Sequence, residues 1–190
     1  MKLVVAITGA SGSLYAQRLL QLIAADPAGP HEVHVALSSH AREVAEAETG
    51  KLAIPDGFTV HGDTSMLVPY VSGSTRFDAM VIIPCSMGTV GRIAHGYSDS
   101  AIIRAADVFL KEKRKLILVP RETPWNLIQA RNIVTVLEAG AEVIPAIPSF
   151  YHRPETVLDV VDTVVARVLD HLGLGHALTK RWMEPGVPPD

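Results

Sequence analysis

The sequence predicts a single α/β domain in which a parallel β-sheet lies between two layers of helices. The 190 residues suffice for one domain, and 48% apolar against 19% charged residues supports a sizeable core. Several apolar runs of strand length are continuous rather than alternating, which is typical of strands buried on both faces. These runs alternate with helical segments, and that alternation favours βαβ units in a parallel sheet.

The N-terminal half contains the first four predicted strands. A continuous apolar run predicts a strand at residues 2–7, and a Gly-Ala-Ser-Gly turn then leads into a leucine-rich helix at 13–25. A second strand at 32–37 is followed by a helix at 39–49, with Ser38 or Ser39 as its cap. Residues 51–76 are rich in Gly, Ser, Thr and Pro and predict irregular structure with one short strand at 58–61. The run Ala-Met-Val-Ile-Ile-Pro predicts a buried strand at 79–84.

The C-terminal half continues the alternation. Helices are predicted at 89–95 and 100–113, and strands at 116–119 and 142–147, with helices at 126–139 and 154–172. The helix at 126–139 is stopped by Gly140, and the last helix is long and amphipathic. The domain is expected to span residues 1–182. Residues 183–190 contain three prolines and are expected to form a flexible tail.

Composition argues against several classes of protein. A net charge of −3 and a pI of about 6.2 disfavour a nucleic-acid binder. Cys85 is the single cysteine, so an internal disulfide framework and a cysteine-rich metal site are excluded. The nearest histidine pairs, His31/His34 and His171/His176, lack a third metal ligand and are interpreted as surface residues, so no metal site is expected. No apolar run is long enough to cross a bilayer, and we expect a cytoplasmic protein.

The segments after the strands should carry the function, because ligands of open parallel sheets bind beyond the carboxyl ends of the strands. Two of these segments combine small hydroxylic residues with glycine and open a helix: residues 8–13 (Thr-Gly-Ala-Ser-Gly-Ser) and 84–89 (Pro-Cys-Ser-Met-Gly-Thr). Such loops let backbone N–H groups approach a phosphate. An ordinary tight turn would use similar residues, and Cys85 is more simply a core residue than a nucleophile.

Charged residues indicate a second part of the site. Arg121 and Glu122 lie between two prolines directly after a strand, where Arg121 could hold an anion and Glu122 could transfer a proton. Arg104 and Lys111 lie two helical turns apart on one face of a helix, and Arg167 stands in an otherwise apolar helix, where it needs a partner. With the hydroxyl loops, these cations indicate one or two phosphorylated ligands.

The order and spacing of these motifs resemble the flavin prenyltransferases of the UbiX family over residues 2–182. The resemblance is carried by residues 8–12, by Ser72-Gly73-Ser74, and by residues 84–89, 104–108, 110–112, 119–124 and 150–152. It implies a Rossmann-like or flavodoxin-like sheet and the transfer of a dimethylallyl group from dimethylallyl phosphate to N5 and C6 of reduced FMN, without a metal. It also implies a UbiD-type decarboxylase as recipient of the prenylated FMN, and a homo-oligomer, often a dodecamer.

The same resemblance implies a role for individual residues. FMN would be held by Gly9, Ala10, Ser11, Ser38, Ser86, Met87, Gly88, Thr89 and Arg121. The phosphate of the prenyl donor would be bound by Arg104, Lys111, Tyr151 and Arg167. Glu122 would protonate or hydrogen-bond the departing phosphate, and Glu48 would act with Ser11 in proton transfer near N5.

One position departs from the family pattern. Many members carry a tryptophan shortly before the Ser-Gly-Ser segment, whereas this chain has Met66 there. The departure leaves open whether the donor is a monophosphate or a pyrophosphate. Two other functions share the fold: a flavin-dependent cysteine decarboxylase, whose loop asparagine is Gly88 in this chain, and a non-catalytic FMN-binding subunit of a decarboxylase system.

Overall fold

A computed structural model describes residues 1–179, and the tail predicted at 183–190 lies outside them. Within the described residues, six parallel strands form one sheet in the order β3-β2-β1-β4-β5-β6. The strands are β1 (Lys2–Ile7), β2 (Glu32–Leu37), β3 (Thr59–Gly62), β4 (Ala79–Cys85), β5 (Lys115–Pro120) and β6 (Glu142–Val143). The order reverses between β1 and β4, which is the point where open α/β sheets bind ligands.

Helices cover both faces of this sheet, as the sequence predicts. They are α1 (Ser13–Ala24), α2 (Ala41–Thr49), α3 (Met87–Ala94), α4 (Ala101–Lys111), α5 (Leu127–Glu138) and α6 (Val157–Leu172). Helices α1, α2 and α6 share one buried apolar cluster with one face of the sheet. Helices α3, α4 and α5 share the other. None of the helices in residues 1–179 has the length and hydropathy required to span a bilayer.

Strand β1 shows why the continuous apolar runs are significant. Leu3, Val5 and Ile7 belong to the cluster on the α1 face, whereas Val4 and Ala6 belong to the cluster on the α4 face. All five side chains are almost completely buried. Because successive side chains of a strand point to opposite faces, a strand covered on both sides must be apolar at every position.

Three predicted boundaries were wrong for identifiable reasons. Helix α2 begins at Ala41 after His40, with no side-chain cap, so neither Ser38 nor Ser39 caps it. Helix α3 begins at Met87, earlier than predicted, because the Ser86 hydroxyl accepts a hydrogen bond from the Thr89 amide. Strand β6 is only two residues long, although the amides of Ile144 and Ala146 still donate to β5 carbonyls. Pro145 lies between them and has no N–H to donate.

His34 is buried, and the side chains of His31 and His176 are only 3% and 4% exposed, so these three histidines are not surface residues, contrary to expectation. The surroundings of His34 show why. Its side chain lies between two partners, with Nδ1 2.9 Å from Nε2 of His61 and Nε2 3.1 Å from a Glu32 oxygen. Tyr70 and Phe77 pack edge-on against its ring. A polar ring is tolerated in the interior when both of its nitrogens have partners.

A bidentate ion pair joins α1 to α6. Arg18 Nε and Nη2 donate to the two carboxylate oxygens of Asp162 over 2.6 and 2.8 Å. The Asp162 side chain is 10% exposed and that of Arg18 is 22% exposed, so the pair is largely withdrawn from water. The first hydroxyl loop leads directly into α1. The ion pair holds α1 against α6 and therefore also holds the end of that loop in place.

Candidate functional site

The carboxyl ends of β1 and β4 are joined through Thr8. The Thr8 hydroxyl donates to the carbonyl of Pro84 over 2.8 Å and accepts from the Ser86 amide over 2.9 Å. Pro84 interrupts the pairing of β4 with β5, whose register shifts between Ile82 and Cys85. The two hydroxyl loops predicted from the sequence are therefore neighbours at the point where the strand order reverses.

The first loop depends on two glycines. A Cβ on Gly9 would lie 2.7 Å from the Cβ of His40, which is too close for any side chain. Gly12 has φ +109°, a left-handed conformation that favours glycine, and immediately precedes α1. The loop thus passes tightly beneath the segment after β2 and points the N-terminus of α1 toward the carboxyl edge of the sheet.

Glu48 of α2 lies at this N-terminus. Its carboxylate accepts hydrogen bonds from the Gly12 and Ser13 amides at 2.8–3.0 Å and from the Ser13 hydroxyl at 2.7 Å. Burial acts to raise the pKa of Glu48, but hydrogen bonds from Ser11, Ser13 and Gly12 together outweigh it and lower the pKa. The structure therefore brings Glu48 and Ser11 together, as the resemblance implies; their part in proton transfer remains a prediction.

Replacement of Glu48 by glutamine is expected to destabilise the protein in a pH-dependent way. A lowered folded-state pKa means that the carboxylate stabilises the fold above the ordinary pKa of 4.5, and that this contribution is lost as the pH falls through the folded value. At pH 7 we expect Glu48→Gln to lower the free energy of unfolding by about 1 kcal/mol. Urea denaturation at pH 7 and pH 3 measures this loss of unfolding free energy. Glu46→Gln is the control, because it removes the same charge from the same helix. An equal effect at both pH values would contradict the prediction.

Arg121 belongs to the same group of residues, whereas Glu122 is exposed. Arg121 Nε donates to the carbonyl of Ser11 over 3.2 Å, and its amide donates to the carbonyl of Cys85. Glu122 is exposed in the single chain, and its Oε1 accepts from the Thr123 amide over 3.1 Å. The guanidinium is thus held over the first loop, while the carboxylate faces outward.

A polar cleft opens beside these loops on the α3 and α4 face, and we call it the hydroxyl cleft. It is lined by the hydroxyl residues Thr8, Ser38, Ser39, Ser86, Thr89 and Ser100, with Gly9, His40, Asp63, Arg92, Ile102 and Ile103. Its volume is about 160 Å³. The Ser38 hydroxyl is buried and has no hydrogen-bond partner within residues 1–179. An unpaired buried hydroxyl costs free energy, so it indicates a place where a ligand supplies the missing bond.

Sequence reasoning missed three charged or ionisable residues of the cleft, namely His40, Asp63 and Arg92. Asp63 directly follows β3, so the rule that ligands bind beyond strand ends could have identified it from the strand predicted at 58–61. Arg92 lies on α3, where its Nε donates to the Gly88 carbonyl and its Nη1 is 3.4 Å from Asp99. His40 could have been found from its position after the second strand.

Cys85 is a core residue, as predicted. Its side chain is completely buried among residues of the α3 and α4 face, and this burial raises the pKa of its thiol strongly. A thiol that stays protonated is a poor nucleophile.

A second group of predicted residues lies at the opposite, amino-terminal edge of the sheet. Lys111 ends α4, and its ammonium lies about 3.1 Å from where a Cβ on Gly73 would stand. Arg114 donates to the carbonyls of Gly73 and Thr75, and Lys111 pairs with Glu112 over 2.7 Å. The Ser72-Gly73-Ser74 motif and the Lys111 motif therefore meet, but away from the hydroxyl loops.

The other residues predicted to bind the donor phosphate are dispersed over the single chain. Arg104 lies one turn into α4 and pairs with Asp107 over 2.7 Å. Tyr151 is 77% exposed in the turn before α6. Arg167 lies near the other end of α6, is 60% exposed, and pairs with Asp170, so its partner comes from its own helix. One chain alone does not bring Lys111, Tyr151 and Arg167 together. Within residues 1–179 no three His, Cys, Asp or Glu side chains converge as metal ligands.

Comparison with known proteins places this chain among flavoproteins. A family model described as Flavoprotein matches residues 1–169. The flavin prenyltransferase UbiX of Methanocaldococcus jannaschii is 43% identical over 189 residues, covering 96% of this chain and 98% of that protein.

Two solved structures are similar over nearly the whole chain. A dodecameric FMN-dependent UbiX-like decarboxylase from Escherichia coli O157:H7 superposes with a TM-score of 0.91 at 42% identity, covering 97% of this chain and 100% of that one. AnUbiX in complex with FMN and dimethylallyl pyrophosphate gives a TM-score of 0.88 at 37% identity, covering 96% and 97%.

Proposed function

Since the chain belongs to the Flavoprotein family and, within it, to the UbiX-type flavin prenyltransferases, we propose that it joins the dimethylallyl group of dimethylallyl phosphate to N5 and C6 of reduced FMN. The observation that supports this most is the similarity over nearly the full length, at 43% identity, to a flavin prenyltransferase. The chain also carries the residues to which the resemblance assigns catalysis and donor binding, among them Ser11, Glu48, Lys111, Glu122 and Arg167. The prenylated FMN would serve a UbiD-type decarboxylase.

The residues at the carboxyl edge fit a flavin nucleotide. The unpaired Ser38 hydroxyl, the amides of the Gly9–Ser11 loop and the loop Ser86–Thr89 offer hydrogen bonds to a polar chain. Arg121, fixed over Ser11, would contact the flavin from the other side. When bound, reduced FMN supplies the electron-rich nitrogen and carbon to which the allylic group is transferred.

The chain's own side chains would act mainly on the phosphate of the donor. Breaking the allylic C–O bond leaves the electron pair on a phosphate oxygen, and Arg104, Lys111 and Arg167 would offset that charge, with the Tyr151 hydroxyl donating a hydrogen bond. Glu122 would hold or deliver the proton that the departing phosphate accepts. Glu48 and Ser11, already hydrogen-bonded to each other, would move a proton at the first loop.

We propose that neighbouring subunits complete the site. Lys111 and Glu122 are separated by the length of β5, about 20 Å for six residues, so they cannot meet within one chain. The single chain also exposes large apolar side chains, which supports further association: Leu127, Ile128, Val134 and Leu137 on α5, and Phe150 and Val157 before and at the start of α6. A dodecamer, as in the Escherichia coli structure, is the proposed assembly.

Anaerobic incubation with reduced FMN and dimethylallyl phosphate tests the function. We expect the flavin to gain the mass of one C5H8 unit, and a parallel reaction with dimethylallyl pyrophosphate determines which donor is used. A reaction without protein is the control. Flavin binding without mass gain from either donor would overturn the proposal in favour of a non-catalytic FMN-binding subunit. Release of CO2 from a cysteine-terminated peptide would instead identify a cysteine decarboxylase.

A further inference from the structure

Arg114 lies just after α4 and ties the end of this helix to the Ser-Gly-Ser segment. Its Nη1 donates to the carbonyl of Thr75 over 2.8 Å, and its Nη2 donates to the carbonyl of Gly73 over 2.6 Å. A guanidinium presents its donors in a fixed planar fork, which a lysine ammonium does not. One side chain therefore holds two points of the segment at once.

The backbone from which Arg114 extends is itself fixed. The Arg114 amide donates to the carbonyl of Phe109 over 2.8 Å, and the Lys113 amide donates to that of Leu110 over 3.0 Å. This pair of bonds is the usual way in which a helix ends at a left-handed residue. That residue is Lys113, with φ +54°, a conformation that favours glycine and is kept by other side chains only where neighbouring contacts hold it.

The segment held by Arg114 lies against Lys111. A Cβ on Gly73 would clash with the Glu112 carboxylate and would lie 3.1 Å from Nζ of Lys111. That ammonium donates to Glu112 over 2.7 Å, while the Lys111 side chain is 47% exposed. A half-exposed lysine has a flexible four-carbon stem, so its ammonium keeps one position only where neighbours confine it. The Gly73 backbone and Glu112 provide that confinement.

Arg114 is what joins this segment to α4. Within residues 1–179, the other hydrogen bonds of residues 72–75 are internal: the Thr75 amide donates to the Ser72 carbonyl, and the Ser72 hydroxyl contacts both the amide and the hydroxyl of Ser74. These bonds shape the turn but do not set its distance from the helix. The two bonds from Arg114 do.

We propose that Arg114 is a positioning residue for the prenyl donor: by holding the Gly73 backbone against Lys111, it keeps the Lys111 ammonium where the donor phosphate binds. The inference rests on the proposed function in that it takes Lys111 as a phosphate ligand. Both terminal nitrogens of Arg114 already donate to carbonyls, so its role is assigned through Lys111 and not as a ligand. The alternative is that Arg114 only stabilises the fold, in which case its loss would weaken FMN and donor binding alike.

Donor binding is measured by titrating dimethylallyl phosphate into protein loaded with oxidised FMN, in a calorimeter. Since the transfer requires reduced FMN, this complex reports binding without reaction. We expect Arg114→Met to weaken donor binding about tenfold, because a displaced Lys111 no longer meets the phosphate. Arg114→Lys keeps the charge but cannot bond both carbonyls, and should weaken it about threefold. FMN affinity, from fluorescence quenching, should change less than about twofold.

A double-mutant cycle tests whether Arg114 acts through Lys111. In a Lys111→Ala background, Arg114→Met should weaken donor binding further by less than about twofold, because the group that it positions is absent. Lys113→Met is the matched control: it removes an exposed cation of the same turn and keeps a non-glycine residue there. It should leave both donor and FMN affinity within about twofold of the unsubstituted protein.

Three results would each overturn the inference alone, with the oligomer intact by light scattering. They are unchanged donor affinity in Arg114→Met, an equal loss of FMN affinity, and an undiminished loss in the Lys111→Ala background. If Arg114→Met does not fold, the same three comparisons made with Arg114→Lys decide. An unsubstituted protein that binds the donor but does not prenylate reduced FMN would overturn the proposed function and leave the role of Arg114 intact. One that binds no donor would overturn both.

Discussion

Replacing Arg18 by methionine is expected to lower the free energy of unfolding by about 3 kcal/mol, because it leaves the Asp162 carboxylate buried without a counter-charge. Asp162 is 10% exposed and receives two charge-assisted hydrogen bonds from Arg18. The expected value is at the low end for buried pairs because the Arg18 side chain retains some contact with water. Urea denaturation at one fixed protein concentration measures the loss, since subunit association also affects stability.

Two variants separate the buried charge from other effects of this substitution. The double variant R18M/D162L replaces the pair by apolar groups and is expected to recover at least half of the loss, because no charge remains unpaired. Arg42→Met removes an exposed arginine from α2 and should change stability by less than about 0.5 kcal/mol. A double variant no more stable than R18M would show that the single substitution acts by lost packing and not through Asp162.

The second large effect concerns activity. We expect Lys111→Ala and Glu122→Gln each to reduce prenyl transfer at least about 100-fold, because each removes a group that acts on the departing phosphate. If the two variant proteins are unfolded, mixed in equal amounts and refolded together, sites that take Lys111 from one chain and Glu122 from another can form. Random assembly should restore roughly a quarter of the unsubstituted activity, because half of the chains carry each intact residue.

The matched control uses two residues of one loop. Arg121 and Glu122 are adjacent in one chain, and Arg121 contacts Ser11 of that chain, so we expect one subunit to supply both residues to a site. Mixed Arg121→Met and Glu122→Gln subunits should therefore recover no activity. Absence of recovery in the Lys111 and Glu122 mixture, with the oligomer intact by light scattering, would contradict a site shared between subunits.

Particular residues show what local patterns predict well. The Gly9–Gly12 loop was predicted because glycines and small hydroxyl residues directly after an apolar strand are typical of a tight strand-to-helix turn, and the structure gives Gly9 no room for a side chain. Glu48 could be connected to Ser11 only through the family resemblance, since the two lie 37 positions apart and no local pattern relates α2 to α1. Asp63 was missed although a short strand was predicted at 58–61, because this strand lies in a segment rich in turn-forming residues and the residues after it were not considered.

Local patterns were enough to predict the α/β class, the order of elements and the two hydroxyl loops, because side-chain periodicity and glycine-containing turns are local properties of the chain. The edge of the sheet that each charged residue occupies could be learned only from the folded chain. Strands run one way and helices return the other way, so Lys111 at the end of α4 and Glu122 after β5 lie at opposite edges despite their closeness in sequence. Local sequence patterns also could not predict that the polar residues His34 and Asp162 are buried. Both are stabilised in the interior by partners that are distant in sequence or on another element.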